Sequence, residues 1–165
     1  MQLLKIYYAY FSPGNTTEKV VSHIASSFQN YPVESINLTD YATRQEDYYF
    51  KENELLIIGV PAYGGRVPAP VVDALRHFTG SNTPVVLVAT YGNRDIDDTL
   101  IELKKNVIDK GFIPVGAASF VCQHTFLKEC AEGRPDEEDL KMAGEFGDKL
   151  KERLRLLVTY DAGDL

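Results

Sequence analysis

Runs rich in β-branched and aromatic residues alternate with segments of helical period, and this alternation is what most restricts the fold. The runs are Leu3 to Tyr10, Val33 to Asn37, Leu55 to Val60, Val85 to Ala89 and Phe112 to Phe120. Several lack period-two alternation, as expected of strands buried on both faces. Helical patterns between and after them cover Thr17 to Phe28, Pro68 to Phe78, Ile96 to Lys110 and Pro135 to about Leu157. Strand and helix taking turns predicts an α/β architecture, a doubly wound parallel sheet with helices on both faces.

The helix from Ile96 places Ile96, Leu100, Leu103 and Val107 on one face, with Asp95, Asp97 and Asp98 as caps and dipole partners at its start. The last helix opens on Pro135 and an acidic run, and Leu140, Ala143, Phe146 and Leu150 form its apolar stripe. Leu38 to Asn53 has no clear period and reads as an irregular or partly helical connection. The terminal YDAGDL reads as a frayed tail.

At 165 residues the chain fits one domain, 1–165, and 44% hydrophobic content suffices to cover a five-stranded sheet. No apolar run approaches the roughly 20 residues of a membrane helix. The opening MQLLKIYYAYF lacks a basic leader and a cleavage site and runs into the turn signal SPGN, so it reads as a first strand. These features predict a soluble, cytoplasmic protein without membrane insertion. The net charge of −7 leaves no basic stripe for nucleic acid and favours a transient partner carrying a basic patch. Cys122 and Cys130 match neither a CxxC redox pair nor a metal-ligand array and read as ordinary reduced thiols.

In open parallel sheets the ligand crevice lies beyond the carboxyl ends of the strands, where strand order reverses. The first strand ends in Ser12-Pro13-Gly14-Asn15-Thr16-Thr17, which offers hydroxyls and backbone N–H groups to an anion without a Lys or Arg. Such a loop suits a phosphate held permanently; a plain helix cap is the alternative. No GxxxxGK[ST] and no GxGxxG follows a strand, which argues against nucleoside triphosphates and dinucleotides. Tyr10-Phe11-Ser12 supplies no acidic pair for Mg²⁺, which argues against a phospho-receiver.

The third strand leads into Pro61-Ala62-Tyr63-Gly64-Gly65-Arg66, an aromatic ring beside glycines that let backbone approach a flat ligand. The fourth leads into Thr90-Tyr91-Gly92-Asn93-Arg94, where the Asn93 amide can donate and accept toward a pyrimidine-like edge. His124, in CQHTF, follows the fifth strand at the same sheet end. Arg66 and Arg94 are candidate cations near the ligand or exposed partners of nearby acids. His23 and His77 fall within helices, and Tyr7, Tyr8, Tyr10, Tyr48 and Tyr49 need only strand packing.

FSPGNTTEKV, GVPAYGGRVPAPVVDAL, TYGNRDIDDTLIELKKNVIDKGF and GRPDEEDL together resemble the flavodoxin-like domains that some anaerobic bacteria fuse to a ferredoxin module. The resemblance implies a flavodoxin-like three-layer sandwich, a five-stranded parallel sheet of order 2-1-3-4-5, binding flavin mononucleotide (FMN). It implies that Ser12, Asn15, Thr16 and Thr17 bind the phosphate, that Tyr63 and Tyr91 flank the isoalloxazine, and that Gly64, Gly65, Gly92 and Asn93 contact its polar edge. The Gly pair, free of Cβ restriction, further suggests that a peptide at Gly64 or Gly65 reorients on reduction, so that its carbonyl accepts a hydrogen bond from flavin N5. The acidic surroundings should disfavour the reduced, anionic flavin and lower its potential.

Two departures stand out. Gly14 and Asn15 occupy the places where the family carries Thr and Gly, and no CxxCxxCxxxCP array follows residue 150. Electrons would therefore pass to or from a separate redox partner protein, a ferredoxin or a flavoprotein reductase. An electron carrier with no catalytic residue is the leading expectation. An FMN-dependent reductase of quinones, nitro compounds or a porphyrinogen, and a binding module that has lost FMN, are the alternatives.

Overall fold

The computed structural model describes residues 2–159 and, within the last helix, side chains up to residue 156; YDAGDL lies outside this range. Lys5–Tyr10 forms β1, Thr16–Ser26 α1 and Val33–Asn37 β2. A 3₁₀ turn at Thr43–Gln45 leads to the short strand Tyr48–Phe50 (β3) and then to Glu54–Pro61 (β4). Ala69–Ala74 is α2, followed by a 3₁₀ turn at Leu75–His77 and a second short strand, Phe78–Gly80 (β5). The chain continues as Thr83–Tyr91 (β6), Thr99–Ile108 (α3), Phe112–Val121 (β7) and Glu137–Thr159 (α4).

The long strands pair in parallel in the order β2-β1-β4-β6-β7. Numbered among themselves, these are 2-1-3-4-5, the order the resemblance implies. β4 and β6 lie inside the sheet, and both read as unbroken apolar runs because neighbours cover both of their faces. Leu55, Ile57, Val86 and Val88 share one core with Val20, Val21 and Ile24 of α1 and Ala143, Leu150 and Leu154 of α4. Leu56, Ile58, Val85 and Leu87 share the opposite core with Val71 and Ala74 of α2 and Leu103 and Val107 of α3. Alternate residues of one strand thus feed two helical layers.

Three sequence expectations need correction. The helix expected over Pro68 to Phe78 ends at Ala74, because the chain tightens at Leu75–His77 and turns Phe78 into β5. The segment Leu38 to Asn53 contains β3, which pairs in parallel with β5 as a separate two-stranded sheet. Phe50 and Phe78 are the buried anchors of that pair, with ring centroids 5.3 Å apart. Ile96 lies outside α3, which begins only at Thr99 because Asp97 takes a left-handed conformation (φ 41°). Asp95, rather than capping the helix, accepts the N–H groups of Ile96 and Asp97 at 2.7 and 3.2 Å. Asp98 stands at the cap position without a side-chain bond. Among the described residues, no helix is long and apolar enough to cross a membrane.

Candidate functional site

Parallel pairing brings the carboxyl ends of β1, β4, β6 and β7 to one edge of the sheet. The ladder runs slightly past the strands: Ala62 N–H donates to the Thr90 carbonyl and Cys122 N–H to the Tyr91 carbonyl, both at 2.8 Å. A cavity of about 230 Å³ opens there, lined by Thr16, Pro61 to Gly65, Thr90 to Gly92, Arg94, Asp95 and residues 122–126. It is slightly smaller than the roughly 300 Å³ at which sites for drug-sized ligands begin, and half open, so a planar ring could enter while its tail lies outside.

The first loop forms the phosphate-like end. Ser12 is buried, its N–H donates to Thr39 Oγ1 at 2.8 Å, and its Oγ accepts the Glu18 N–H at 3.0 Å. Asn15 takes the left-handed conformation, φ 62°, which Asn tolerates better than most residues. Asn15 N–H closes the turn on the Ser12 carbonyl at 3.1 Å. The backbone N–H groups of Gly14, Thr16 and Thr17 find no acceptor among the described residues. At the start of a helix, such spare donors suit an anion. The hydroxyls of Thr17 and Thr90 bond each other, buried, at 2.7 Å, joining this loop to the end of β6.

The turn after β4 is built differently. Tyr63 and Arg66 exchange both backbone hydrogen bonds, 3.0 and 3.1 Å, around Gly64 and Gly65, whose φ angles are 57° and 73°. Two positive φ angles define a turn of the I′ hand, which glycine enters without strain. Gly65 is pinned: its carbonyl accepts the Asp98 N–H at 3.1 Å, and a Cβ there would meet the Asp97 side chain at 2.5 Å. Gly64 faces open space, and among the described residues the Gly64 carbonyl and Gly65 N–H have no partner.

Arg66 does not reach the cavity. It makes a two-pronged ion pair with Glu102 of α3 at 2.8 and 3.0 Å, and Glu102 also accepts the Val67 N–H. The guanidinium and that N–H hold the Glu102 carboxyl below its ordinary range. Arg94 lines the cavity, and among the described residues it makes no ion pair.

Of the sequence-predicted residues, Thr16, Pro61, Ala62, Tyr63, Gly64, Gly65, Thr90, Tyr91, Gly92, Arg94 and His124 line the cavity together. Ser12, Pro13, Gly14, Asn15, Thr17 and Asn93 do not; the first five belong to the donor loop beside it, and Asn93 sits in a left-handed turn (φ 60°) at its rim. Sequence reading missed Asp95, Cys122, Gln123, Thr125 and Phe126. An aromatic at a strand end was the signal that singled out Tyr63 and Tyr91, and applied to CQHTF it would have found Phe126. Burial pushes the Cys122 thiol up to about 12, so it lines the cavity as a neutral S–H.

A doubly wound open sheet with a strand-end cavity beside a helix N-terminus defines the class. The fold is that of the flavodoxins. A flavodoxin from the domain Archaea superposes with a TM-score of 0.63 at 14% identity, over 92% of this chain and 99% of that one. Flavodoxin 2 from Bacillus cereus gives 0.62 at 16%, over 90% and 99%. Rubredoxin oxygen:oxidoreductase from Desulfovibrio gigas gives 0.65 at 15%, over 94% of this chain but only 37% of that one. No protein-family model and no curated protein sequence matches the chain.

Proposed function

We propose that this chain binds FMN at the strand-end cavity and carries electrons between redox partner proteins. The observation that carries this reading is the pairing of spare N–H donors at Gly14, Thr16 and Thr17 with an aromatic-lined cavity one loop away. An anion at the first and a flat ring at the second are the two ends of FMN. Bound FMN supplies one- and two-electron transfer.

The chain's own residues supply the rest. The first loop holds the phosphate by backbone and hydroxyl donors with no cation, so the group is bound rather than activated. Tyr63 and Tyr91 wall the ring. The unpartnered Gly64–Gly65 peptide can invert, turning I′ geometry into II′ and presenting its carbonyl to the ring, while Gly65's own carbonyl stays tied to Asp98. That narrows the expected reorientation to one peptide. Arg94 brings positive charge to a chain of net −7, and acts against the lowering of the potential by its acidic surroundings.

An anaerobic absorbance titration of the purified protein with FMN, followed by dithionite, tests this. Saturable flavin bands perturbed from those of free FMN are expected. A spectrum that stays the sum of free FMN and protein overturns the reading. Rapid oxidation of NADH or NADPH by the loaded protein with a quinone, and no added reductase, would instead favour the reductase.

A further inference from the structure

We propose that Phe126 is a movable wall of the strand-end cavity and that His124 is the clasp that sets its position. The ring of Phe126 lines the cavity yet is 80% exposed, so burial does not hold it there. It stands 6.5 Å from the Tyr63 ring and 6.3 Å from the His124 ring. What fixes it is backbone. His124 Nδ1 accepts the N–H of Phe126 at 3.1 Å and of Leu127 at 3.0 Å. Two donors aimed at one nitrogen leave it no hydrogen of its own, so the imidazole is neutral with its proton on Nε2.

The clasp is fastened to the neighbouring loop from two sides. His124 packs so closely on Gly92 that a Cβ there would lie 2.5 Å from its Cδ2. The His124 N–H donates to the Cys130 carbonyl at 3.0 Å, and the Cys130 thiol donates to the Gly92 carbonyl at 3.0 Å. Phe126 is therefore positioned relative to Tyr91 and Gly92 through one imidazole.

Protonation of Nδ1 turns the acceptor into a donor, strips both N–H groups of their partner and releases Phe126 from the cavity mouth. The titratable or charged groups that share the cavity with His124 are Tyr63 from the turn after β4, and Tyr91, Arg94 and Asp95 after β6. Cys122 at the end of β7 joins them, with Lys128, Glu129 and Cys130 in the same loop. Among these chemistries imidazole is the one that ordinarily changes charge between about pH 5 and pH 8.

The chain contains no tryptophan, so Phe126→Trp places its single indole on the wall, where red-edge excitation separates it from the ten tyrosines. Its anisotropy in the ligand-free protein should fall as the pH drops from about 8 to about 5. Adding His124→Asn, whose side-chain oxygen accepts the same N–H groups without titrating, should keep it high throughout. Adding His124→Ala should keep it low throughout. A fall that persists in the Asn variant, or high anisotropy in the Ala variant, overturns the proposal. Only the identity of the ligand rests on the flavin reading: wild-type affinity for FMN should weaken about five-fold more than that of His124→Asn over the same interval, in which the phosphate of FMN titrates alike for both. Failure to bind FMN at any pH would remove the flavin reading while the anisotropy still decides the clasp.

Discussion

The loop after β1 and the turn after β4 both depart from right-handed backbone, and they do so for opposite ends. In the first, the side chains close on the protein: Ser12 holds Glu18, Thr39 holds Ser12 and Thr17 holds Thr90, leaving backbone donors spare. In the second, the backbone closes on itself and is braced from behind by Asp97, Asp98 and the Arg66–Glu102 pair, leaving one peptide free. One end is a fixed socket, the other a held hinge. A group that never changes charge suits the socket, and a ring that gains electrons suits the hinge.

The comparison breaks most decisively with riboflavin, which keeps the ring and lacks the phosphate. Loss of charged hydrogen bonds to the three spare donors, at the low end of ~1.5–3 kcal/mol each, predicts binding weaker than FMN by roughly 2000-fold, read by fluorescence titration. Equal affinities would mean that the socket is only a helix cap.

Next in size, Gly65→Ala forces a Cβ into Asp97 at positive φ and should cost about 3 kcal/mol in denaturant unfolding. Gly64→Ala meets open space and should cost about 1 kcal/mol. If both cost the same, the brace behind Gly65 is not what shapes the hinge. Gly64→Ala should also shift the separation of the two one-electron potentials of bound FMN, which a redox titration measures.

On the socket side, Ser12→Ala removes the acceptor of the Glu18 N–H and should cost about 1 kcal/mol of stability. Asn15→Gly should leave both stability and FMN affinity nearly unchanged, within about 0.5 kcal/mol, because relief of the left-handed amide offsets the added chain entropy. A tenfold gain in affinity would show instead that Asn15 limits the site.

The smallest effect is on pH. Glu102 has a carboxyl lowered chiefly by Arg66, so its brace is fully present above the unfolded value of about 4.3. It is lost as the pH falls through the lowered folded value. The protection factor of the Val67 amide, its exchange rate measured against the intrinsic rate at each pH, should fall over that acid window in wild type and already be low at neutral pH in Glu102→Gln.

The long strands were legible because β4 and β6 are buried on both faces, and composition alone marks such strands. β3 and β5 were not, since three residues hold no period, and Phe78 continued the apolar spacing of α2 into a strand. Ile96 misled for a local reason: it keeps helical spacing with Leu100, but the left-handed Asp97 intervenes. At the site, Tyr63 and Tyr91 were legible beside their glycines. Phe126 carried the same strand-end aromatic signal in CQHTF, but no glycine stands beside it to mark a ligand's approach, and the His124 hydrogen bonds that place it leave no pattern in the letters.

The buried hydroxyl pair of Thr17 and Thr90 carries one more consequence. It ties the socket to the end of β6, whose Thr90 carbonyl in turn accepts the Ala62 N–H beside the hinge, so on the proposed flavin reading a ligand with both ends would behave as a chelate. With the phosphate of the proposed FMN seated, its ring would meet the cavity at a high effective concentration set by the short ribityl tether. Affinity then depends on the spacing between the two ends as well as on the contacts at each, and a ligand with a longer or shorter tether would lose that advantage while making every local contact.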